Sequence, residues 1–297
     1  MTEKKTVRPL RKAAVTVAAV AGVAIIAGFF GKSAYRLAKE HYYAMLSRTE
    51  RENISFEEYT GATEITTLEA LKLDTRAAFD QSGMLINSEN LLPDGFEAEA
   101  VEYKDSGVYM NRCITEGYGA LAEAVNERFS EKLYVSSAYR TAEEQLEAEA
   151  EEGDAAQEVG ASEHQAGLAL DVYVLYHGGM GFVETEAGQW VNSDCWRYGF
   201  IIRYPLGKKS VTGIGYEPWH IRYVGAPHAE YIMKSGLTLE EYFGLLSDGK
   251  PRYIKTDGGE YVVVRGSAES LPAPEEYESA TVSPDNAGGY IVTYKLK

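Results

Sequence analysis

Ser162-Glu163-His164-Gln165-Ala166-Gly167-Leu168-Ala169-Leu170-Asp171-Val172-Tyr173-Val174-Leu175 is the stretch that decides how this chain is read. From Leu168 to Leu175 it is aliphatic and aromatic, which predicts a strand. Gly167 predicts the turn that leads into it, with His164 just before the turn and Asp171 on the strand. About fifty residues on, Glu217-Pro218-Trp219-His220 offers a second imidazole and a second carboxylate. Pro218 pushes Glu217 away from helical geometry toward extended backbone. A regular strand sends residues three apart to opposite faces. Glu217 and His220 can therefore serve one site only if Pro218 marks a bend or bulge.

Two imidazoles, one carboxylate in an apolar strand and one further carboxylate make the inventory of an open zinc site. Such a site has three protein ligands, a fourth position for water and an acid/base beside it. His164, Asp171 and His220 would be the ligands and Glu217 the proton carrier. The helical pattern His-Glu-x-x-His is absent, so another scaffold must present the metal. Against this stands a plainer reading, because a buried histidine near an aspartate is ordinarily a satisfied core pair. The chain holds five histidines, and His177 and His228 lie outside both segments as structural or surface residues.

The two segments together tip the balance through a resemblance. Ser162-x-His164-x-x-Gly167-x-Ala169-x-Asp171 followed by Glu217-x-Trp219-His220 resembles the VanY-type D-alanyl-D-alanine carboxypeptidases, zinc peptidases of peptidoglycan related to D,D-dipeptidases and L,D-carboxypeptidases. Ser136-Ser137-Ala138-Tyr139-Arg140-Thr141 with the trailing Gln145, Tyr198-Gly199-Phe200-Ile201-Ile202-Arg203-Tyr204-Pro205, and Trp219 to Gly225 extend the match over roughly residues 85–247. Ala138 stands where relatives commonly carry glycine. The resemblance implies one zinc per chain held by His164, Asp171 and His220, with Glu217 as catalytic base. It implies that Arg140 holds the substrate's terminal carboxylate, a task its planar fork suits. Gln145, Ser162 and Tyr204 are further candidates for substrate hydrogen bonds, and Arg203 and Arg222 are the fallback cations. The implied reaction removes the C-terminal D-alanine of a peptidoglycan stem peptide. Two alternatives stay open: an L,D-carboxypeptidase acting on tetrapeptide stems, and a non-catalytic zinc-stabilised wall-binding module.

The N-terminus reads differently. Lys4, Lys5, Arg8, Arg11 and Lys12 precede an uncharged run from Ala13 to Phe30. Helical rise makes that run about 27 Å long, close to the hydrocarbon core of a bilayer. A cleaved signal would have a shorter apolar region, of about 7–15 residues. The excess of basic residues ahead of the run predicts a single-pass anchor with its N-terminus in the cytoplasm and the body outside the cell. Beyond residue 40 the chain carries 21 basic against 43 acidic residues, a formal charge of −22. That surface repels nucleic acid, which excludes a nucleic-acid partner.

An α+β fold is expected, with a small central antiparallel sheet, flanking helices, the N-terminal transmembrane helix and a small C-terminal β appendage. Residues 1–40 would be the basic segment and anchor, 41–84 a helical stalk or spacer, 85–247 the catalytic domain and 248–297 the appendage. Helices are predicted over Thr67–Phe79, Met110–Leu133, Thr141–Glu152, Trp190–Tyr198, His228–Met233 and Leu239–Phe243, and strands over Leu133–Ser136 and Phe200–Tyr204. Tyr253–Thr256 and Glu260–Val264 predict a hairpin, Leu271–Glu275 a linker and Tyr290–Tyr294 a last strand. Cys113 and Cys195 are compatible with one disulfide or with two separate thiols. Zinc ligation by them is disfavoured without a Cys-x-x-Cys spacing.

Overall fold

The computed structural model describes residues 31–52, 54–152 and 157–297. At its centre a four-stranded sheet runs in the order Tyr134–Ser137, Ala169–Tyr173, Glu217–Tyr223, Phe200–Tyr204, each neighbour antiparallel. Its register sorts the two faces. Leu170, Ile221 and Ile202 lie in one row across three strands and point into the core. One residue along, Asp171 stands opposite His220 on the other face. Because side chains alternate with a period of two, an apolar floor and a polar upper face come from the same strands.

The floor is covered by the helix Thr115–Phe129, which buries Tyr118, Leu121 and Val125 on one side. Those positions fall at helical spacing, and full burial of such a side chain contributes about 1.5–3 kcal/mol. Ser130 ends the helix in the left-handed region at φ 56, its N–H returning to the carbonyl of Asn126. The helix is shorter than the expected Met110–Leu133. Met110 belongs instead to the strand Tyr109–Asn111, paired with Ala100–Glu102. Asn111 Oδ1 accepts from the N–H of Cys113 at 3.2 Å and starts a 3-10 turn there. Likewise the helix expected at Trp190–Tyr198 is Glu186–Asp194, begun by Thr185 Oγ1 accepting from Gly188 N at 2.9 Å and continued as a 3-10 turn over Cys195–Tyr198.

Residues 41–84 are not a helical stalk. A helix occupies residues 31–46, and strands follow at Phe56–Glu58, Thr63–Thr66 and Ala77–Phe79, with only Leu68–Leu73 helical between them. These strands join the C-terminal part. A six-stranded sheet runs Phe56–Glu58, Arg252–Thr256, Gly259–Gly266, Tyr290–Lys295, Ser279–Pro284, Ala77–Phe79. The stretch expected as a linker, Leu271–Pro274, is a strand paired with Thr63–Thr66. Prolines are tolerated there because the partner strand forms a pair of only two, where a missing N–H faces outward.

The six-stranded sheet is buried on both sides. Val262, Val264, Val292 and Tyr294 pack against Leu68, Leu71 and Leu271. Ile254, Val263 and Ile291 pack against Ala229, Ile232, Leu239, Tyr242 and Phe243 from the helices Ala226–Ser235 and Leu239–Leu245. His228 fastens this junction, bonded to the Tyr242 hydroxyl at 2.6 Å and to Thr293 Oγ1 at 2.8 Å. Burial lowers its pKa to about 4, so it stays neutral, a structural histidine. The expected anchor, Ala13–Phe30, lies outside the described residues. Among those described, no helix is long and apolar enough to cross a membrane.

Candidate active site

The turn that carries His164 is a 3-10 segment, Glu163–Ala166, entered from Ser162 and closed by Gly167. Gly167 adopts φ 65, and a Cβ there would sit 2.8 Å from the backbone nitrogen of Asn111. Glycine is required on both counts. The His164 Nδ1–H donates to the carbonyl of Ala138 at 2.8 Å, and this fixes the tautomer that leaves Nε2 free. Nε2 faces Asp171 Oδ2 at 3.6 Å.

On the neighbouring strand, Ile202 pairs with Ile221 but Tyr204 pairs with Glu217. Pro218, Trp219 and His220 therefore stand opposite Arg203 alone, which is the bulge that the Glu-x-x-His spacing demands. The carbonyl of Pro218 is held by the buried amide of Asn192, whose Nδ2 donates to it at 2.7 Å and to the carbonyl of Gly188 at 3.0 Å. With the bulge in place, His220 Nδ1 lies 3.2 Å from Asp171 Oδ1 and 3.7 Å from Glu217 Oε2.

One ligand atom each from His164, Asp171 and His220 falls within 4.8 Å of the others. Zinc bonds of about 2.0–2.2 Å place tetrahedral ligand atoms about 3.4 Å apart, so the three need only a small contraction. Asp171 Oδ1 is buried without a hydrogen-bond partner, as a carboxylate oxygen awaiting a cation would be. The titration behaviour points the same way. Burial lowers the pKa of His164 to about 4, outweighing the attraction of Asp171. Burial also disfavours charge on Asp171, yet the two imidazoles hold its pKa at about 2. For His220, burial opposes protonation, but the neighbouring carboxylates of Asp171 and Glu163 lift its pKa to about 9. A metal ion would replace that proton, since imidazole ligates only when the coordinating nitrogen is free. The donor set fits zinc.

Glu163 is the residue that motif reading passed over as a spacer. It is fully buried, with Oε1 accepting from Arg203 Nε at 2.6 Å and from Arg222 Nη1 at 2.7 Å, and with Oε2 3.5 Å from His220 Nε2. Burial would raise its pKa, but the two guanidinium groups hold it well below the usual carboxylate range. Arg203 also forks onto Glu240 at 3.0 and 2.6 Å, and Arg222 donates to the carbonyls of Ser82 at 3.0 Å and Met84 at 2.7 Å. Both arginines are fully buried and face inward, so neither is placed to receive a substrate. Two arginines on strands expected to be buried are the signal that a buried anion must lie between them.

Arg140 is differently placed. Half-buried, it donates to Ser137 Oγ at 2.7 Å and to Gln145 Oε1 at 3.4 Å, while its backbone N–H bonds the carbonyl of His164 at 3.1 Å. Gln145 is fully buried and its Nε2 is engaged with the carbonyl of Gln157 at 2.7 Å, so it steadies Arg140 from behind. Gln157 also donates to the Tyr204 hydroxyl at 3.0 Å, and the Tyr204 ring lies 4.9 Å from that of His220. Ser162 is buried at the entry of the turn. The two cysteines are separate free thiols, and burial pushes the pKa of Cys113 up to about 12 and that of Cys195 higher still.

The family model of VanY, D-alanyl-D-alanine carboxypeptidase, matches residues 107–226, a span that holds Arg140, His164, Asp171, Glu217 and His220. A solved vancomycin-resistance D,D-pentapeptidase, VanY from a VanB-type cassette in complex with Zn(II), is 33% identical over 98% of its own chain and 55% of this one, with a TM-score of 0.48. The chain belongs to the VanY family. Among curated VanY-family relatives, the D-alanyl-D-alanine carboxypeptidase of Enterococcus faecium is 34% identical over 198 residues, 64% of this chain and 62% of that enzyme. The match thus spans less than two thirds of that relative's length. The VanXYg D,D-dipeptidase structure, in complex with a D-Ala-D-Ala phosphinate analogue, shares the fold at a TM-score of 0.62, 22% identity, 80% of this chain and 100% of that one. The VanY match takes in the central sheet, Glu163 and Asn192. It ends before the six-stranded sheet, most of which comes from residues 252–295.

Proposed function

We propose that this VanY-family chain is a zinc carboxypeptidase that removes the terminal D-alanine of peptidoglycan stem peptides. The cluster of His164, Asp171 and His220, with Glu217 beside it, is the observation that carries this reading. Zinc bound by those three residues would polarise the scissile carbonyl and make water a stronger nucleophile at neutral pH. Glu217 takes the proton of the attacking water and delivers it to the leaving amine. Arg140, already oriented by Ser137 and Gln145, receives the terminal carboxylate, which confines cleavage to the last peptide bond. Ala138 and Glu163 hold the two imidazoles in the ligating orientation, as outer partners of metal-bound histidines do.

Mass spectrometry of products from synthetic tetra- and pentapeptide stems tests the assignment. Loss of one D-alanine from a pentapeptide ending in D-Ala-D-Ala is expected. Trimming of the tetrapeptide alone would mark an L,D-carboxypeptidase, and no product from either peptide would overturn the assignment.

The uncharged run Ala13–Phe30 behind five basic residues supports an N-terminal anchor with the catalytic body outside the cell. Protease added to intact cells should then digest residues 41–297 and leave a short membrane-bound fragment. Full protection of that body would reverse the topology.

A further inference from the structure

Tyr134 stands opposite Tyr173 in the sheet, two pairing steps beyond Ser137 and Asp171, with Val135 opposite Val172 between them. Alternation along the strand puts Tyr173 on the same face as Asp171, while Val172 between them is buried in the core. The two rings stack at 5.3 Å between centroids and 24° between planes, and both are half-buried. Strand spacing sets the pair about 7 Å from Asp171. Arg140 lies at the other end, because the chain runs from Tyr134 through Ser137 to Arg140, whose N–H bonds His164. The order along this face is thus the cation, the ligand cluster, then the aromatic pair.

Just past the pair the chain turns between Val174 and His177, and the tip exposes Leu175 at 54% and Tyr176 at 90%. Tyr176 adopts φ 69, a left-handed conformation that an aromatic residue rarely takes. A stacked cross-strand pair by itself only stabilises a sheet. That role accounts for neither the strained, solvent-facing tyrosine beside it nor the alignment with Arg140 and the ligand cluster.

We propose that Tyr134 and Tyr173 form a shelf for the part of the stem peptide upstream of the scissile bond, with the Leu175–Tyr176 tip as its outer edge. This rests on the carboxypeptidase reading above. With the terminal carboxylate on Arg140 and the scissile bond at the cluster, the upstream residues run out over the two rings. An extended peptide covers about 3.3–3.6 Å per residue, so the shelf meets the side chain about two residues before the bond. Flat aromatic rings suit its aliphatic part. The shelf makes the enzyme prefer a long stem to a minimal one.

Steady-state kinetics on two substrates with the same C-terminus test this: N-acetyl-D-Ala-D-Ala and a pentapeptide stem. The parent enzyme should favour the pentapeptide in kcat/KM. In the Tyr134→Ala/Tyr173→Ala double variant that preference should shrink about tenfold, through a higher KM for the long substrate. Tyr173→Phe should keep the preference, because the ring face and not the hydroxyl makes the contact. Equal losses on both substrates, or a preference that survives in the double variant, would overturn the shelf and leave the carboxypeptidase assignment standing. A parent enzyme inactive toward both peptides would overturn the assignment and the shelf with it.

Discussion

Glu217→Ala is expected to lose turnover by about 10²-fold or more, the usual contribution of a general acid/base, while keeping its zinc. The reason is positional. Glu217 Oε2 lies 3.7 Å from His220 Nδ1, and its side chain is 24% exposed where Asp171 is 18% and His220 only 6%. It is thus the carboxylate at the solvent side of the cluster, near the ligands without belonging to them. Removing it leaves His164, Asp171 and His220 in place. Elemental analysis should find parental zinc content in Glu217→Ala, and kinetics on a D-Ala-D-Ala peptide should show the loss in kcat with KM little changed. Glu217→Gln supplies a control of the same size that cannot take a proton, and it should be as slow as the alanine variant. Turnover within threefold of the parent in Glu217→Gln would remove Glu217 from the proton-transfer role.

How much of this site could be read from the chain depends on how local the information is. His164, Asp171 and His220 stood out because two short segments together resemble one family's motifs, and the fold brings one ligand atom of each within 4.8 Å of the others. The Glu-x-x-His spacing was legible as a demand for a bulge at Pro218. What holds the bulge was not, since Asn192 is 26 residues away and reads as an ordinary helix residue. Glu163 stayed hidden for the same reason. It sits 40 residues from Arg203 and 59 from Arg222, and only the pairing of the strands brings the three together.

The fold was legible where strands are long and apolar. Phe200–Tyr204 falls where expected, and the hairpin closes with Thr256 opposite Gly259 as Asp257-Gly258 implies. The largest failures lie between residues 41 and 84. Phe56-Glu57-Glu58 and Thr63-Glu64-Ile65-Thr66 are mostly exposed and carry charge, so nothing in their composition marks them as strands. They pair with residues about two hundred positions later, such as Phe56 with Ile254 and Thr66 with Leu271. Short edge strands of this kind take their structure from the partner, and no local propensity records it.

The largest effect on stability is expected from Glu163→Ala. Arg203 and Arg222 are both fully buried, and Glu163 is the carboxylate they share. Deleting one member of a buried ion cluster strands the remaining charge, at about 3–5 kcal/mol. That is a large part of the roughly 5–15 kcal/mol by which a domain is usually stable. Arg203 would keep Glu240, and Arg222 would keep the carbonyls of Ser82 and Met84, but neither arrangement restores the lost negative charge. His220 would lose its outer carboxylate as well, so zinc affinity should fall by about 10–100-fold in the molecules that still fold. Glu163→Gln separates the two causes, because it keeps the shape and one acceptor oxygen while removing the charge. Urea denaturation of the zinc-loaded protein measures the first effect and competition with a chelator the second. Glu143→Ala, on the exposed side of the acidic helix Ala142–Glu152, gives the reference and should shift stability by no more than about 0.5 kcal/mol. A urea midpoint for Glu163→Ala equal to that of Glu143→Ala would mean that the two arginines find other partners, and Glu163 would then not be the anion on which the metal-bearing strands are assembled.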